Sequence, residues 1–111
     1  MQVKRYDKLV RDGIPAIIEA TGAIPETRVL SEEEYLRRLD DKLGEELAEY
    51  IACGPDREAA AEELADLLEV IYAAAAARGV SPEALDALRA RKRGARGGFE
   101  ERLLLLSVTE P

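Results

Sequence analysis

The stretch Leu36-Arg-Arg-Leu-Asp-Asp-Lys42-Leu-Gly-Glu-Glu-Leu-Ala-Glu-Tyr50 decides the fold. Leucines at 36, 39, 43 and 47, followed by Tyr50, repeat at the 3-4-4-3 spacing of one helical face. Ser31-Glu-Glu-Glu34 just before it is a capping box: Ser31 accepts from the amide of residue 34, and Glu34 reaches back to the amide of Ser31. The helix should run to about Ala52, where Gly54-Pro55 stops it. A second long helix is expected over residues 57–78, with Leu64, Leu67, Leu68, Ile71 and Ala75 as its apolar positions and Gly79 as its stop. The loop between them is short, which makes the two helices antiparallel neighbours.

Shorter elements follow on either side. Asp12 is placed to cap a helix that carries Pro15 in its first turn and ends at Gly22. Ser81-Pro82 opens a helix that should end near Gly94, and residues 96–99 form a turn. Residues 24–30 and 102–108 read as short extended segments that could pair with each other, although Pro25 argues against a central strand. The expected architecture is an all-α antiparallel helical bundle in a single domain over residues 1–111, with those two extended segments at its edges.

Residues 70–77 are apolar on every side of the second long helix. A helix of that kind is buried all round, and one small chain has little to cover it with. The stretch therefore predicts packing against another subunit, with alanines permitting close approach.

Two acidic motifs ride on the long helices, Glu45-Glu-Leu-Ala-Glu49 and Glu62-Glu-Leu-Ala-Asp66. The pairs Glu46/Glu49 and Glu63/Asp66 are spaced i, i+3, which sets both carboxylates of a pair on one face, their Cβ atoms ~5–6 Å apart. At about 100° per residue, each pair lies along one flank of its helix's apolar face, while Glu45 points away. Antiparallel packing lets the pairs meet across a groove. Such a flank is also what a solvated helix surface looks like. From Ser31 to Glu69, however, 14 acidic residues stand against 4 basic ones. Four carboxylates at close quarters repel one another unless a cation neutralises them, and all-oxygen ligation suits Mg²⁺, with Mn²⁺ as an alternative.

Composition removes other chemistries. The chain has no His and one Cys, Cys53, so imidazole catalysis, His-ligated zinc and a disulfide framework fall away. A net charge of −7 and the absence of Trp argue against binding a nucleic-acid polymer. No apolar run reaches the ~20 residues of a membrane span. The polar, charged opening of the chain carries no secretory leader, so the expected location is the cytoplasm.

Positive charge collects at the ends. Lys4, Arg5, Lys8 and Arg11 open the chain, and Arg89, Arg91, Lys92, Arg93 and Arg96 cluster before Gly97-Gly98. An acidic centre between basic ends suits a metal–polyphosphate ligand: carboxylates hold the metal and guanidinium groups clamp phosphate oxygens. Lys8, Arg11, Arg93 and Arg96 are the phosphate candidates. Tyr50, Tyr72 and Phe99 are the candidates for stacking on a base.

The segments Lys8-Leu-Val-Arg-Asp-Gly-Ile-Pro15, Lys42-Leu-Gly-Glu-Glu-Leu-Ala-Glu49, Glu62-Glu-Leu-Ala-Asp-Leu-Leu-Glu69 and Arg96-Gly-Gly-Phe99 together resemble the all-α nucleotide pyrophosphohydrolases. The MazG-like, phosphoribosyl-ATP pyrophosphohydrolase-like branch is the nearest in pattern. The resemblance rests on Glu-x-x-Glu followed by Glu-x-x-Asp, matched here by Glu46/Glu49 and Glu63/Asp66 with 13 residues between. It implies Mg²⁺-dependent hydrolysis of a nucleoside triphosphate between the α- and β-phosphates, giving a nucleoside monophosphate and pyrophosphate. It also implies Glu46, Glu49, Glu63 and Asp66 as metal ligands and a homodimer or tetramer as the working form. Histidine-pathway members usually carry a His soon after the second acidic motif, where this chain has Leu68, Glu69 and Val70. House-cleaning of non-standard nucleotides is therefore the expected role. Phosphoribosyl-ATP hydrolysis and a non-catalytic helical dimer module are the alternatives.

Overall fold

In the computed structural model, which describes residues 2–111, the chain forms four helices: α1 (Ile14–Ala20), α2 (Glu32–Ala52), α3 (Arg57–Ala77) and α4 (Pro82–Arg96). The all-α expectation holds, and no strand occurs among the described residues. Residues 24–30 and 102–108 have no regular structure and do not pair with each other. Both lie open to solvent for most of their length, so nothing screens the backbone groups a two-stranded ladder would have to hold.

The helix starts follow local chemistry. Ser31 Oγ accepts from the Glu34 amide at 3.2 Å, and Ser81 Oγ from the Ala84 amide at 3.1 Å, with Pro82 opening α4. Asp56 caps α3, accepting from the amides of Glu58 and Ala59 at 3.0 and 3.2 Å. The cap of α1 differs from expectation: Gly13 stands at the N-cap with no side-chain bond, and Asp12 is not used. A backbone turn, Ile14 N–H to the Arg11 carbonyl at 3.0 Å, closes that end instead.

The ends are equally local. At the end of α3 the Val80 amide bonds the Ala75 carbonyl and the Gly79 amide the Ala76 carbonyl, with Gly79 at φ 79°, the double bond of a Schellman stop. Helix α4 runs two residues past the expected Gly94, to Arg96, and stops where Gly97 takes φ 84°.

The two long helices form a hairpin, and α4 touches only α3. Within the hairpin Leu39 and Val70 are the buried apolar residues, at 2% and 9% exposure. The third buried residue is Glu46. The helices thus meet where the leucine face of α2, at Leu39, borders its carboxylate-bearing flank, at Glu46. The leucine faces expected to form the core are covered only in part: Leu36, Leu39, Leu43, Leu67 and Ala75 are buried or half-buried, whereas Leu47 on α2 and Leu64, Leu68 and Ile71 on α3 are exposed. Of residues 70–77 only Val70 is buried, and Ile71 and Ala76 face solvent.

The shape reflects this. The radius of gyration is 18.8 Å, where a compact chain of this length has about 13 Å. The accessible area is 9946 Å², against about 6,100 Å² for a compact monomer of the same mass. None of the described helices is long and apolar enough to cross a membrane.

Candidate metal centre

Midway along the hairpin, Glu46 from α2 and Glu63 and Asp66 from α3 point at one spot. One carboxylate oxygen from each lies within 4.8 Å of the others. The i, i+3 spacing places Glu63 and Asp66 side by side, and the hairpin brings Glu46 across to them. Glu46 Oε2 and Glu63 Oε2 are buried without a hydrogen-bond partner. Buried carboxylate oxygens are rarely left so, because each costs the desolvation of a charged acceptor. A hard divalent cation satisfies such a donor set, so the residues present fit the metal the sequence implied.

Glu49 sits apart from this trio. It is exposed, one turn along α2, yet near enough for its charge to act on Glu46. Burial pushes the Glu46 carboxyl above its ordinary range; the charges of Glu49 and Asp66 add to this, against the pull of Lys42.

The N-terminal segment folds over the trio. Arg11 donates to Asp66 Oδ1 at 2.7 Å, and Lys8 to Glu45 Oε1 at 3.3 Å. Arg38 fastens the segment by donating to the Asp7 carbonyl at 3.1 Å. Lys8, Arg11 and Lys42, with Val10 and Ile14, join Glu46 and Asp66 around a cavity of ≈ 240 Å³. That is smaller than the ~300–1,000 Å³ of a pocket for a whole small molecule.

Glu45, expected to point away, is instead half-buried and held by Lys8 and Lys42, two of the residues that line the cavity. Burial alone would raise its carboxyl; the hydrogen bond from Lys8 and the charges of Lys42 and Lys8 outweigh that and hold it below its ordinary range. Lys42 was missed as a site residue. It lies 3.4 Å from Glu45 and 3.5 Å from Glu46, with its side chain mostly buried. The signal was present in its i, i+3 and i, i+4 spacing to both acids.

The structure does not bring the other basic end to the acids. Arg93 bonds Glu100 at 2.7 Å, and Arg96 is exposed and unpaired among the described residues. Tyr50 and Phe99 are exposed and Tyr72 is half-buried; none of the three lines the cavity.

The family model described as phosphoribosyl-ATP pyrophosphohydrolase matches residues 15–92. That span contains all four candidate acids and leaves out Lys8, Arg11, Arg93, Arg96 and everything after them. An uncharacterized protein of Mycolicibacterium smegmatis is 51% identical over 55 residues, which are 50% of this chain and 55% of that protein. The chain thus spans about half the length of the curated relative it matches. No solved structure matches.

Proposed function

The chain belongs to the phosphoribosyl-ATP pyrophosphohydrolase family, and from that premise we propose that it hydrolyses the α–β phosphoric anhydride of a nucleotide at the Glu46–Glu63–Asp66 centre. The observation that carries this reading is the pair of buried, partnerless oxygens, Glu46 Oε2 and Glu63 Oε2, facing into a carboxylate trio beside two basic side chains. Glu46, Glu63 and Asp66 would hold Mg²⁺, or Mn²⁺, with Glu49 completing the set from the exposed side. When bound, the cation supplies charge neutralisation at the phosphates and a more acidic coordinated water.

The chain's own residues do the rest. Arg11 and Lys8 present cationic donors at the rim of the cavity, where they bind and orient the phosphate chain. Lys42 holds Glu45 and Glu46 in place from the same helix. Val10 and Ile14 form the apolar part of the wall and limit water there. The products would be a nucleoside monophosphate and pyrophosphate.

The missing histidine after the second motif favours a non-standard nucleoside triphosphate as substrate; the family's description favours phosphoribosyl-ATP as the second reading. A homo-oligomer in the cytoplasm is part of the same proposal. The test is pyrophosphate release with Mg²⁺ from standard and modified nucleoside triphosphates and from phosphoribosyl-ATP, wild type beside Glu63→Ala. Release that requires metal and disappears in the variant supports the reading. A folded wild-type protein inert on every substrate rejects it in favour of a binding module.

A further inference from the structure

Residues 7–11 lie ahead of the family-matched span and form a strap beside the carboxylate trio. Three contacts hold it. At its root Asp7 takes φ 46°, in the left-handed region, and its carbonyl accepts from Arg38 of α2 at 3.1 Å. Next, Lys8 donates to Glu45 of α2 at 3.3 Å. At the far end Arg11 Nη2 donates to Asp66 Oδ1 of α3 at 2.7 Å. The strap thus bridges both long helices where Glu46, Glu63 and Asp66 converge.

Both side chains offered to a phosphate, Lys8 and Arg11, are already committed to carboxylates. The two commitments differ. Glu45 stands outside the trio, whereas Asp66 is one of its members. A cation drawn to the trio competes with the Arg11 guanidinium for the same carboxylate and repels it. The two side chains of that pair are 56% and 43% exposed, so Arg11 has room to swing and loses little by leaving. Charge favours the same order of events. Lys8, Arg11 and Lys42 face the carboxylates of Glu45, Glu46, Glu63 and Asp66, so a bare polyphosphate meets no net positive charge there. A divalent cation in the trio shifts that balance by two charges and leaves the Arg11 fork open to phosphate oxygens.

We propose that Arg11 is an exchangeable counter-cation: it trades Asp66 for a phosphate oxygen when the trio takes up its metal, so that polyphosphate binding depends on the cation. This rests on the reading of the trio as a metal centre. The Arg38–Asp7 contact keeps the strap seated, and only the Arg11 side chain has to move. Linkage gives the exchange two reciprocal signs: Arg11 weakens metal binding where phosphate is lacking, and metal strengthens phosphate binding where Arg11 is present.

Calorimetric titration with Mg²⁺ alone tests it on the full chain, Arg11→Ala, Arg11→Lys and Glu63→Ala. Arg11→Ala should bind Mg²⁺ about fivefold more tightly than wild type, the most that a half-exposed ion pair is worth, and Arg11→Lys should return to the wild-type affinity. Inorganic phosphate, followed by its phosphorus NMR line width, should bind wild type more tightly with Mg²⁺ than without. That gain should shrink in Arg11→Ala. Circular dichroism checks helix content; if Arg11→Ala loses it, Arg11→Gln carries the test. An alanine variant that binds Mg²⁺ no better than wild type overturns the proposal, because Arg11 would then only orient Asp66. So does a phosphate affinity indifferent to Mg²⁺. Mg²⁺ binding that survives Glu63→Ala undiminished has a different meaning: it removes the metal centre itself, and both the exchange and the function proposed above fall with it.

Discussion

Arg11 and Asp66, 55 positions apart in the chain, meet at 2.7 Å, and that pair pins the N-terminal segment over the carboxylate trio. Both side chains are roughly half exposed, so the pair itself stabilises the fold by no more than about 1 kcal/mol. Arg11→Ala should accordingly leave the melting temperature almost unchanged. If Arg11 binds phosphate, the same change should raise KM about 10–100-fold, the worth of one charge-assisted hydrogen bond. Unfolding and steady-state kinetics on one preparation separate the two effects.

Divalent cations should stabilise the chain. A ligand that binds only the native state, at a hundred times its Kd, adds about 2.7 kcal/mol. Thermal unfolding with and without Mg²⁺ should show a rise of several degrees in the wild type and none in Glu63→Ala. An equal rise in both would move the cation elsewhere.

Glu46 gives that experiment a direction in pH. Its folded-state pKa is raised by burial first and by Glu49 next, so in the absence of metal its ionised form costs stability. The metal-free chain gains from Glu46 at pH below the ordinary carboxylate range and loses that gain as pH rises through the raised value. Glu46→Gln should therefore melt higher than wild type at neutral pH without metal, and lose both the Mg²⁺ response and activity.

Arg28 and Glu34 make the opposite case. The hydrogen bond from Arg28 leads the causes that hold the Glu34 carboxyl at about 2, against an ordinary 4.5. A depressed pKa stabilises above the unfolded value and is lost as pH falls, here between 4.5 and about 2. An acid titration of Arg28→Ala should show a shallower loss of helix signal across that window than wild type.

Leu39 is the most buried side chain of the hairpin, at 2% exposure. Leu39→Ala should cost about 2–5 kcal/mol by chemical denaturation. Leu47→Ala, on the open face, should cost far less in a monomeric preparation.

Much of this was legible beforehand. The capping residues Ser31 and Ser81, the glycine stops at 22 and 79, and the 3-4-4-3 leucine spacing depend on local geometry, which sequence carries directly. The meeting of Glu46 with Glu63 and Asp66 followed from i, i+3 spacing and a short loop. What escaped depends on distant partners. Periodicity names the apolar side of a helix but not which edge of it a neighbour will take, so the exposure of Leu47, Leu64, Leu68 and Ile71 beside a buried Leu39 and Glu46 was not foreseen. Nor does charge alone separate Arg11, which reaches the site, from Arg93, which bonds Glu100 instead.

The burial of Glu46 between α2 and α3 has a consequence for how this chain would change under selection. The position that joins the two long helices is held by a side chain poorly suited to an interior. Selection for thermal resistance alone would be expected to replace Glu46 and Glu63 early, with glutamine or leucine, and to yield a sturdier hairpin that has lost its chemistry. Persistence of acids at these two positions in a randomised library would then report on activity, because robustness would have discarded them.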